Sequence, residues 1–249
     1  MKLRIDLNAD LGEGAGSDRE LLALVSSASI ACGFHAGDPA MMSASIVAAA
    51  AAGVAVGAHP SLADREHFGR KELPVTPNDV FALVAYQVGA FHGIATSLDV
   101  RPNHVKPHGA LYNMAVRDAR LADAIARAVL AVDRSLTLFA PNDSALAKAA
   151  EAVGLRVTYE VFADRNYLAD GTLVPRSRPD ALLHDPNEAA ERVLRMLREN
   201  LVRAIDGSDV PVKAETICLH GDKPEAVAFA QELRGKLLAA EITISAPYA

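Results

Sequence analysis

The sequence alternates short apolar or β-branched runs with longer helical patterns, and this alternation constrains the fold more than any other feature. In residues 185–205, for example, apolar residues recur with helical spacing and form one face. That face consists of Ala190, Val193, Leu194, Leu197 and Leu201. The seven predicted strands are residues 3–8, 28–32, 54–58, 104–107, 136–140, 155–163 and 215–220. Repeated strand–helix–strand order predicts a parallel sheet, and seven such units predict a closed or nearly closed β/α barrel.

A chain of 249 residues is long enough for one such barrel, so we expect a single domain over residues 1–249. Ser17, Asp185 and Asp222 are expected to cap helices, because a Pro or acidic residues follow each of them in the first turn. The long irregular segment 162–185 is expected to form a functional lid or binding loop.

The charge balance argues against nucleic acid and against an anionic membrane as partners. The chain has 25 Lys and Arg against 31 Asp and Glu, and its basic residues are scattered. Asp6 and Asp10 lie where a signal peptide would carry an apolar run, so we expect a cytoplasmic protein. Cys32 and Cys218 are expected to be small buried side chains rather than a disulfide.

Polar residues concentrate where predicted strands end, which is where catalytic groups gather in a β/α barrel. Five of the eight histidines lie within a few residues of a strand end, whereas His67, His92 and His184 do not. The polar residues at the strand ends include Asp6, Asn8, Asp10, Glu13, His35, Asp38, His59, Lys106, His108, Asn113, Asp164, Arg165, His220 and Asp222.

Several of these residues have two interpretations. Strand alternation would place Asp6, Asn8 and Asp10 on one side, where buried polar groups are costly unless they bind something. Asp38 and Asp222 are also candidates for helix caps. Imidazoles beside carboxylates would suit a divalent metal ion, but the sequence lacks the HExxH and CxxC spacings, so a metal stays open.

Six long motifs, taken together, resemble those of one family from end to end. They are "DLNADLGEGAG", "ASIACGFHAGDP", "GAHPSLAD" with "FGR", "VKPHGALYN", "FADRNYLADGTLVPR" and "ICLHGDKP". The chain is identified by these motifs as similar to the LamB/YcsF family. The resemblance implies an α/β fold, an irregular seven-stranded β/α (TIM-like) barrel of the glycoside hydrolase/deacetylase type.

The resemblance also implies hydrolytic opening of 5-oxo-L-proline to L-glutamate, coupled to ATP hydrolysis, in a complex with separate B and C subunits. Because the sequence shows no recognisable ATP site, ATP would be used through the complex. From their positions at the strand ends, we expect the catalytic residues to be Asp10, His35, His59, Lys106, His108 and His220. We expect the substrate-binding residues to be Asn8, Glu13, Asn113, Asp164, Arg165 and Asp222.

Within this set, Asp10 or one of the histidines His35, His59 and His220 would orient or deprotonate water. Lys106 and His108 would bind the substrate carboxylate or stabilise a developing oxyanion. Arg70 is an alternative anion-binding residue.

Two other functions fit the same residues. The first is a stand-alone, metal-dependent amidohydrolase or deacetylase, which would act without ATP. The second is a non-catalytic ligand-binding subunit. The density of titratable groups weighs against the second, because pure binding pockets are mostly apolar.

Overall fold

Seven parallel strands close into a barrel in the computed structural model, which describes residues 3–220 and 226–248. The strands of the chain are β1 Arg4–Leu11, β2 Ser27–Ala31, β3 Ala55–His59, β4 Pro102–Val105, β5 Thr137–Ala140, β6 Arg156–Phe162, β7 Leu201–Arg203, β8 Asp209–Pro211, β9 Thr216–Leu219 and β10 Thr243–Ile244. The barrel order is β1-β2-β3-β4-β5-β6-β9, and pairing of β9 with β1 closes it. The sequence prediction of a seven-stranded barrel is therefore confirmed.

Eight helices in the described residues surround this barrel. They are α1 Asp18–Leu22, α2 Pro39–Ala51, α3 Pro77–Ser97, α4 Gly109–Arg117, α5 Ala119–Val132, α6 Ala145–Ala152, α7 Pro186–Glu199 and α8 Ala226–Ala239. Alternate residues of β1, such as Ile5 and Leu7, belong to the apolar core. The opposite face of β1 carries Asp6, Asn8 and Asp10 into the barrel lumen, as the alternation predicts.

Helix starts follow the predicted capping chemistry at some positions and not at others. Asp38 caps α2 by accepting from the Met41 amide at 2.8 Å, and Asp185 caps α7 by accepting from the Asn187 amide at 2.8 Å. Ser17 precedes α1 but makes no side-chain capping bond. The expected cap at Asp222 lies outside the described residues.

Two features near the C-terminal half differ from the sequence prediction. The apolar face predicted to run to Leu201 ends earlier, because Asn200 adopts a left-handed φ of 56° and terminates α7. Leu201 instead begins the antiparallel hairpin β7–β8. Strand β10 was also not predicted; it pairs with the first residues of β1.

Helix α3 is long and apolar enough to cross a membrane by length and composition. It nevertheless packs against α5, β3 and β4 in the outer layer of the barrel.

Both cysteines are buried and free, as expected.

Hydrogen bonds between side chains fill the lower part of the lumen. Asp6 accepts from the hydroxyl groups of Ser26 at 2.6 Å, Ser27 at 2.8 Å and Thr216 at 2.6 Å.

His104 stacks on Phe139 with a centroid separation of 4.1 Å. The facing residue in β3 is Gly57, where a Cβ atom would come within 2.3 Å of the His104 ring. Glycine is therefore required here to make room for a buried imidazole.

The buried Asp6 carboxyl makes the stability of the fold depend on pH. Burial raises the pKa of Asp6 from 3.8 to about 6. Between pH 3.8 and about 6, the folded chain keeps a proton on Asp6 that the unfolded chain has released. The free energy of unfolding therefore decreases as the pH rises through this range. We expect Asp6→Asn to remove this contribution, which is on the order of 3 kcal/mol, in urea unfolding measured from pH 4 to 7.

The control is Asp123→Asn, which changes a half-exposed carboxylate on α5. This variant should keep the pH dependence of the wild-type chain. If Asp6→Asn kept it as well, the Asp6 carboxyl would not be its source.

Candidate active site

A cavity of about 540 Å³ opens at the carboxyl ends of the barrel strands. Its floor is formed by residues in the last part of the strands or just after them, and its sides by α4 and by the segment 165–177. This position agrees with the rule for β/α barrels and with the lid or binding role predicted for the irregular segment. The polar residues of the floor and nearest wall are Asp10, His59, Lys106, His108, Asn113, Glu160, Arg165, Cys218 and His220.

Lys106 occupies the centre of the floor. Its ammonium group forms an ion pair with Asp10, lies 3.4 Å from Glu160 Oε1 and donates to Asn8 Oδ1 at 2.7 Å. Burial, the largest single effect, would lower the pKa of Lys106, but the groups around the ammonium, Asp10 foremost and Glu160 among them, together outweigh burial and raise that pKa well above its usual value. Lys106 is therefore a fixed positive charge.

Asp10 is the matching negative charge. Burial alone would raise the pKa of Asp10, but Lys106 and then His59 hold it well below its usual range. Asp10 Oδ2 also lies 3.5 Å from His59 Nε2. Asp10 therefore links Lys106 to the histidines at the mouth of the barrel, that is, at the carboxyl ends of its strands where the cavity opens.

Glu160 is a site residue that the sequence analysis missed. It is 2% exposed and accepts from the Asn8 amide at 3.1 Å while facing Lys106. Burial and the adjacent Glu160 raise the pKa of Tyr112 well above its usual value. The available signal was a single acidic residue in the second half of the predicted strand "LRVTYEVFA".

Cys218 also belongs to this centre rather than to the apolar core alone. The Lys106 ammonium lies 3.1 Å from Cys218 Sγ. Burial raises the pKa of the Cys218 thiol well above its usual value, so the thiol stays protonated.

Three histidines and one glutamate cluster on one side of the mouth. His108 Nδ1 lies 2.9 Å from His59 Nε2, and the His35 ring stacks on the His108 ring at 3.8 Å between centroids. Glu13 Oε1 lies 3.0 Å from His35 Nε2 and 3.5 Å from His108 Nδ1. Burial lowers the pKa of His35 to about 2 and that of His108 well below its usual value.

A tight turn at residues 64–70 covers these imidazoles. Phe68 has a φ of 55°, and its carbonyl accepts from His108 Nε2 at 2.9 Å. The next residue, Gly69, also has a positive φ, and a Cβ atom there would come within 2.3 Å of Ser61 Oγ and 2.8 Å of His35 Cβ. The "FGR" motif therefore forms a strained turn that reaches the histidines.

His220 faces the cavity from the end of β9. Its Nδ1 atom lies 3.0 Å from Asp164 Oδ1 and 3.1 Å from Asp164 Oδ2. A carboxylate partner at Nδ1 fixes the tautomer and leaves Nε2 with its lone pair. Asp164 itself is 4% exposed and lies behind His220.

Arg165 supplies positive charge to the cavity wall. Its Nη2 atom donates to the Val174 carbonyl at 2.6 Å, and its Nε atom is buried without a hydrogen-bond partner among the described residues. Burial, followed by the nearby Arg176, lowers the pKa of Arg165 to about 10, so the guanidinium stays charged at neutral pH. Arg70 also lines the cavity.

The structure brings most of the residues predicted for the site to one mouth. Asp10, His59, Lys106, His108, Asn113, Arg165 and His220 line the cavity, and Glu13 and His35 lie behind His59 and His108. Asn8 lies below the cavity, where it binds Lys106, Glu160 and Thr216. Asp222 falls outside the described residues.

The model of the LamB/YcsF family matches residues 5–249. The chain belongs to the LamB/YcsF family. It is 49% identical over 248 residues to the 5-oxoprolinase A subunit of Bacillus subtilis (strain 168), covering 98% of this chain and 96% of that relative.

Solved structures agree with this family assignment. The lactam utilization protein from Thermus thermophilus superposes with a TM-score of 0.91 at 44% identity, covering 98% of this chain and 100% of that chain. A family 4 carbohydrate esterase from Streptomyces lividans superposes with a TM-score of 0.52 at 12% identity, covering 99% and 93% of the two chains. The esterase shows the fold alone, and it confirms that this LamB/YcsF chain has a deacetylase-type barrel.

Removing the central lysine should destabilise the protein strongly. In Lys106→Met the buried carboxylates of Asp10 and Glu160 lose their counter-charge, which typically costs about 3–5 kcal/mol. Urea unfolding at pH 7 measures this loss.

Arg195→Met is the matched control, because Arg195 pairs with Glu199 and Asp209 at the surface. Solvent screens ion pairs at the surface, so this variant should lose much less stability. Equal losses in the two variants would contradict the role assigned to Lys106.

Proposed function

We propose that this chain is the ring-opening subunit of an ATP-dependent 5-oxoprolinase, which converts 5-oxo-L-proline to L-glutamate. One observation carries the proposal: a cavity with paired charges and several imidazoles lies in a chain that is similar throughout its length to the 5-oxoprolinase A subunit of Bacillus subtilis. The expected partners are B and C subunits, and ATP enters the reaction through the complex. We place the reaction in the cytoplasm, in keeping with two free buried cysteines.

The chemistry of a lactam explains why ATP is needed. The amide carbonyl of 5-oxoproline is a poor electrophile because nitrogen donates its electron pair to it. Transfer of the γ-phosphoryl group of ATP to the carbonyl oxygen makes the ring carbon electrophilic and releases ADP. A water then adds to that carbon, the ring nitrogen takes a proton and leaves, and a second water releases phosphate from the acyl phosphate to give glutamate.

Arg165 is the residue best placed to bind the substrate carboxylate. The charge of Lys106 is already matched by Asp10 and Glu160, whereas the buried Nε–H of Arg165 has no protein acceptor among the described residues. A guanidinium also suits bidentate binding of a carboxylate. Lys106 then holds Asp10 in its charged form and contributes positive potential at the cavity floor.

The His220–Asp164 pair is the best candidate for the proton-transfer group. The Asp164 carboxylate accepts from His220 Nδ1–H, so the Nε2 lone pair can take a proton from water. The positive charge that forms on His220 is stabilised by Asp164. His59 and His108 line another part of the same cavity.

The test is ATP-dependent release of glutamate from 5-oxoproline by the chain together with its B and C partners. His220→Gln should lower kcat by roughly 10²–10⁴-fold, because a positioned acid–base group contributes that much. Arg165→Met should instead raise KM for 5-oxoproline, because it removes a binding charge. The chain alone should release little or no glutamate.

His92→Gln is the control, since His92 bonds Asp133 on the outer helices away from the cavity. It should keep wild-type kinetics. Wild-type kcat in His220→Gln would overturn the assignment of the base. Amide hydrolysis by the chain alone, without ATP, would replace the proposal with a stand-alone amidohydrolase.

A further inference from the structure

The histidine cluster has a donor set that fits a metal ion. One ligand atom from each of Glu13, His35, His59 and His108 lies within 4.8 Å of the other three. The three histidines are buried, and the Glu13 side chain is 3% exposed. We propose that these four residues bind one divalent transition metal ion. Imidazole nitrogens with one carboxylate oxygen suit zinc best.

The hydrogen bonds on the far side of two imidazoles decide which nitrogens are available. His59 Nδ1 lies 2.6 Å from the carbonyl oxygen of Lys106, and His108 Nε2 lies 2.9 Å from the carbonyl oxygen of Phe68. A carbonyl can only accept, so both of these nitrogens carry the hydrogen. The neutral rings then present the lone pairs of His59 Nε2 and His108 Nδ1 to each other across 2.9 Å.

Carboxylate oxygens add further acceptors around the same point. Glu13 Oε1 lies 3.5 Å from His108 Nδ1, and Asp10 Oδ2 lies 3.5 Å from His59 Nε2. The facing lone pairs of His59 Nε2 and His108 Nδ1 repel each other unless a proton or a cation lies between them, and the two carboxylates add negative charge around the same point. One proton on one imidazole would bridge a single pair of these atoms. A metal ion would take the lone pairs of both His59 and His108, with the Glu13 carboxylate beside it as a further ligand.

The surrounding backbone supports the same interpretation. Histidines that bind metals usually donate their other N–H group to a carbonyl or a carboxylate, which fixes the tautomer. His59 and His108 both do so, and the carbonyl that serves His108 belongs to Phe68 at its left-handed φ of 55°. The backbone is thus strained at Phe68, the residue whose carbonyl group orients the His108 ring and with it the ligand nitrogen Nδ1.

A second group of possible ligands lies nearby, formed by Asp10, Cys218 and His220. The Lys106 ammonium already lies there, in an ion pair with Asp10 and 3.1 Å from Cys218 Sγ. A metal ion at that point would meet a fixed positive charge. The cluster of Glu13, His35, His59 and His108 is therefore the better site.

A metal ion at this cluster would also affect the chemistry in the cavity, a consequence that rests on the proposed function. Two ligands, His59 and His108, line the cavity that would hold 5-oxoproline. An ion bound there would supply Lewis acidity and lower the pKa of a bound water. Metal binding itself requires neither substrate nor partner subunits, so it is tested separately.

The experiment measures binding of zinc to the full chain after removal of metals with a chelator. We expect about one equivalent of bound zinc by isothermal titration calorimetry and by elemental analysis after desalting. His59→Gln and His108→Gln should each weaken zinc binding by at least about 100-fold, since loss of a partner that merely orients a ligand already costs roughly 10–100-fold. His92→Gln should bind zinc like the wild type.

Cobalt(II) in place of zinc reports the donor atoms, even where a histidine variant folds poorly. Wild-type protein should show visible d–d bands without a thiolate-to-cobalt charge-transfer band, and Cys218→Ser should leave the spectrum unchanged. A thiolate band that Cys218→Ser removes would assign the ion to Cys218 and overturn the proposal. Absence of stoichiometric binding, or unchanged affinity in folded His59→Gln and His108→Gln, would overturn it too, whatever the 5-oxoprolinase assay shows.

Discussion

The ion pairing of Lys106 inside the barrel is the constraint on which the rest of the structure depends. An ammonium group that is 2% exposed is stable only because Asp10 and Glu160 face it and Asn8 accepts from it. These residues come from β1 and β6 and from the chain just after β4, so one charged centre ties distant strands together. The polar lumen below continues this network through Thr216 to Asp6.

The sequence predicted the barrel and the mouth because both follow from local patterns. Strand runs and helical periodicity give the strand order, and strand ends of a barrel share one edge, so His59, Lys106 and His220 had to meet. Glu160 could not be predicted as a site residue from local sequence patterns. Its partner Lys106 is 54 positions away in the chain, and no sequence motif connects the two residues. The end of α7 was misplaced because Leu201 continues the apolar spacing, whereas Asn200 ends the helix through its backbone conformation.

The histidines show most clearly what a sequence leaves undecided. Their positions at strand ends were predictable, but the tautomers of His59 and His108 depend on carbonyl groups of Lys106 and Phe68. The first is 47 positions from its histidine and the second is 40 positions away. Only the folded backbone brings each carbonyl to a ring nitrogen. Those two contacts turn a group of histidines into a cluster with lone pairs directed at one point.

The two halves of the mouth are electrostatically coupled through Asp10. Its carboxylate forms an ion pair with Lys106 and lies 3.5 Å from His59 Nε2. A positive charge gained at the histidine cluster would therefore attract Asp10, and the hold of Asp10 on Lys106 would weaken. Screening is weak here because both groups are buried. A change of charge at the histidine cluster would therefore change the electrostatic potential around Lys106 through their shared neighbour Asp10.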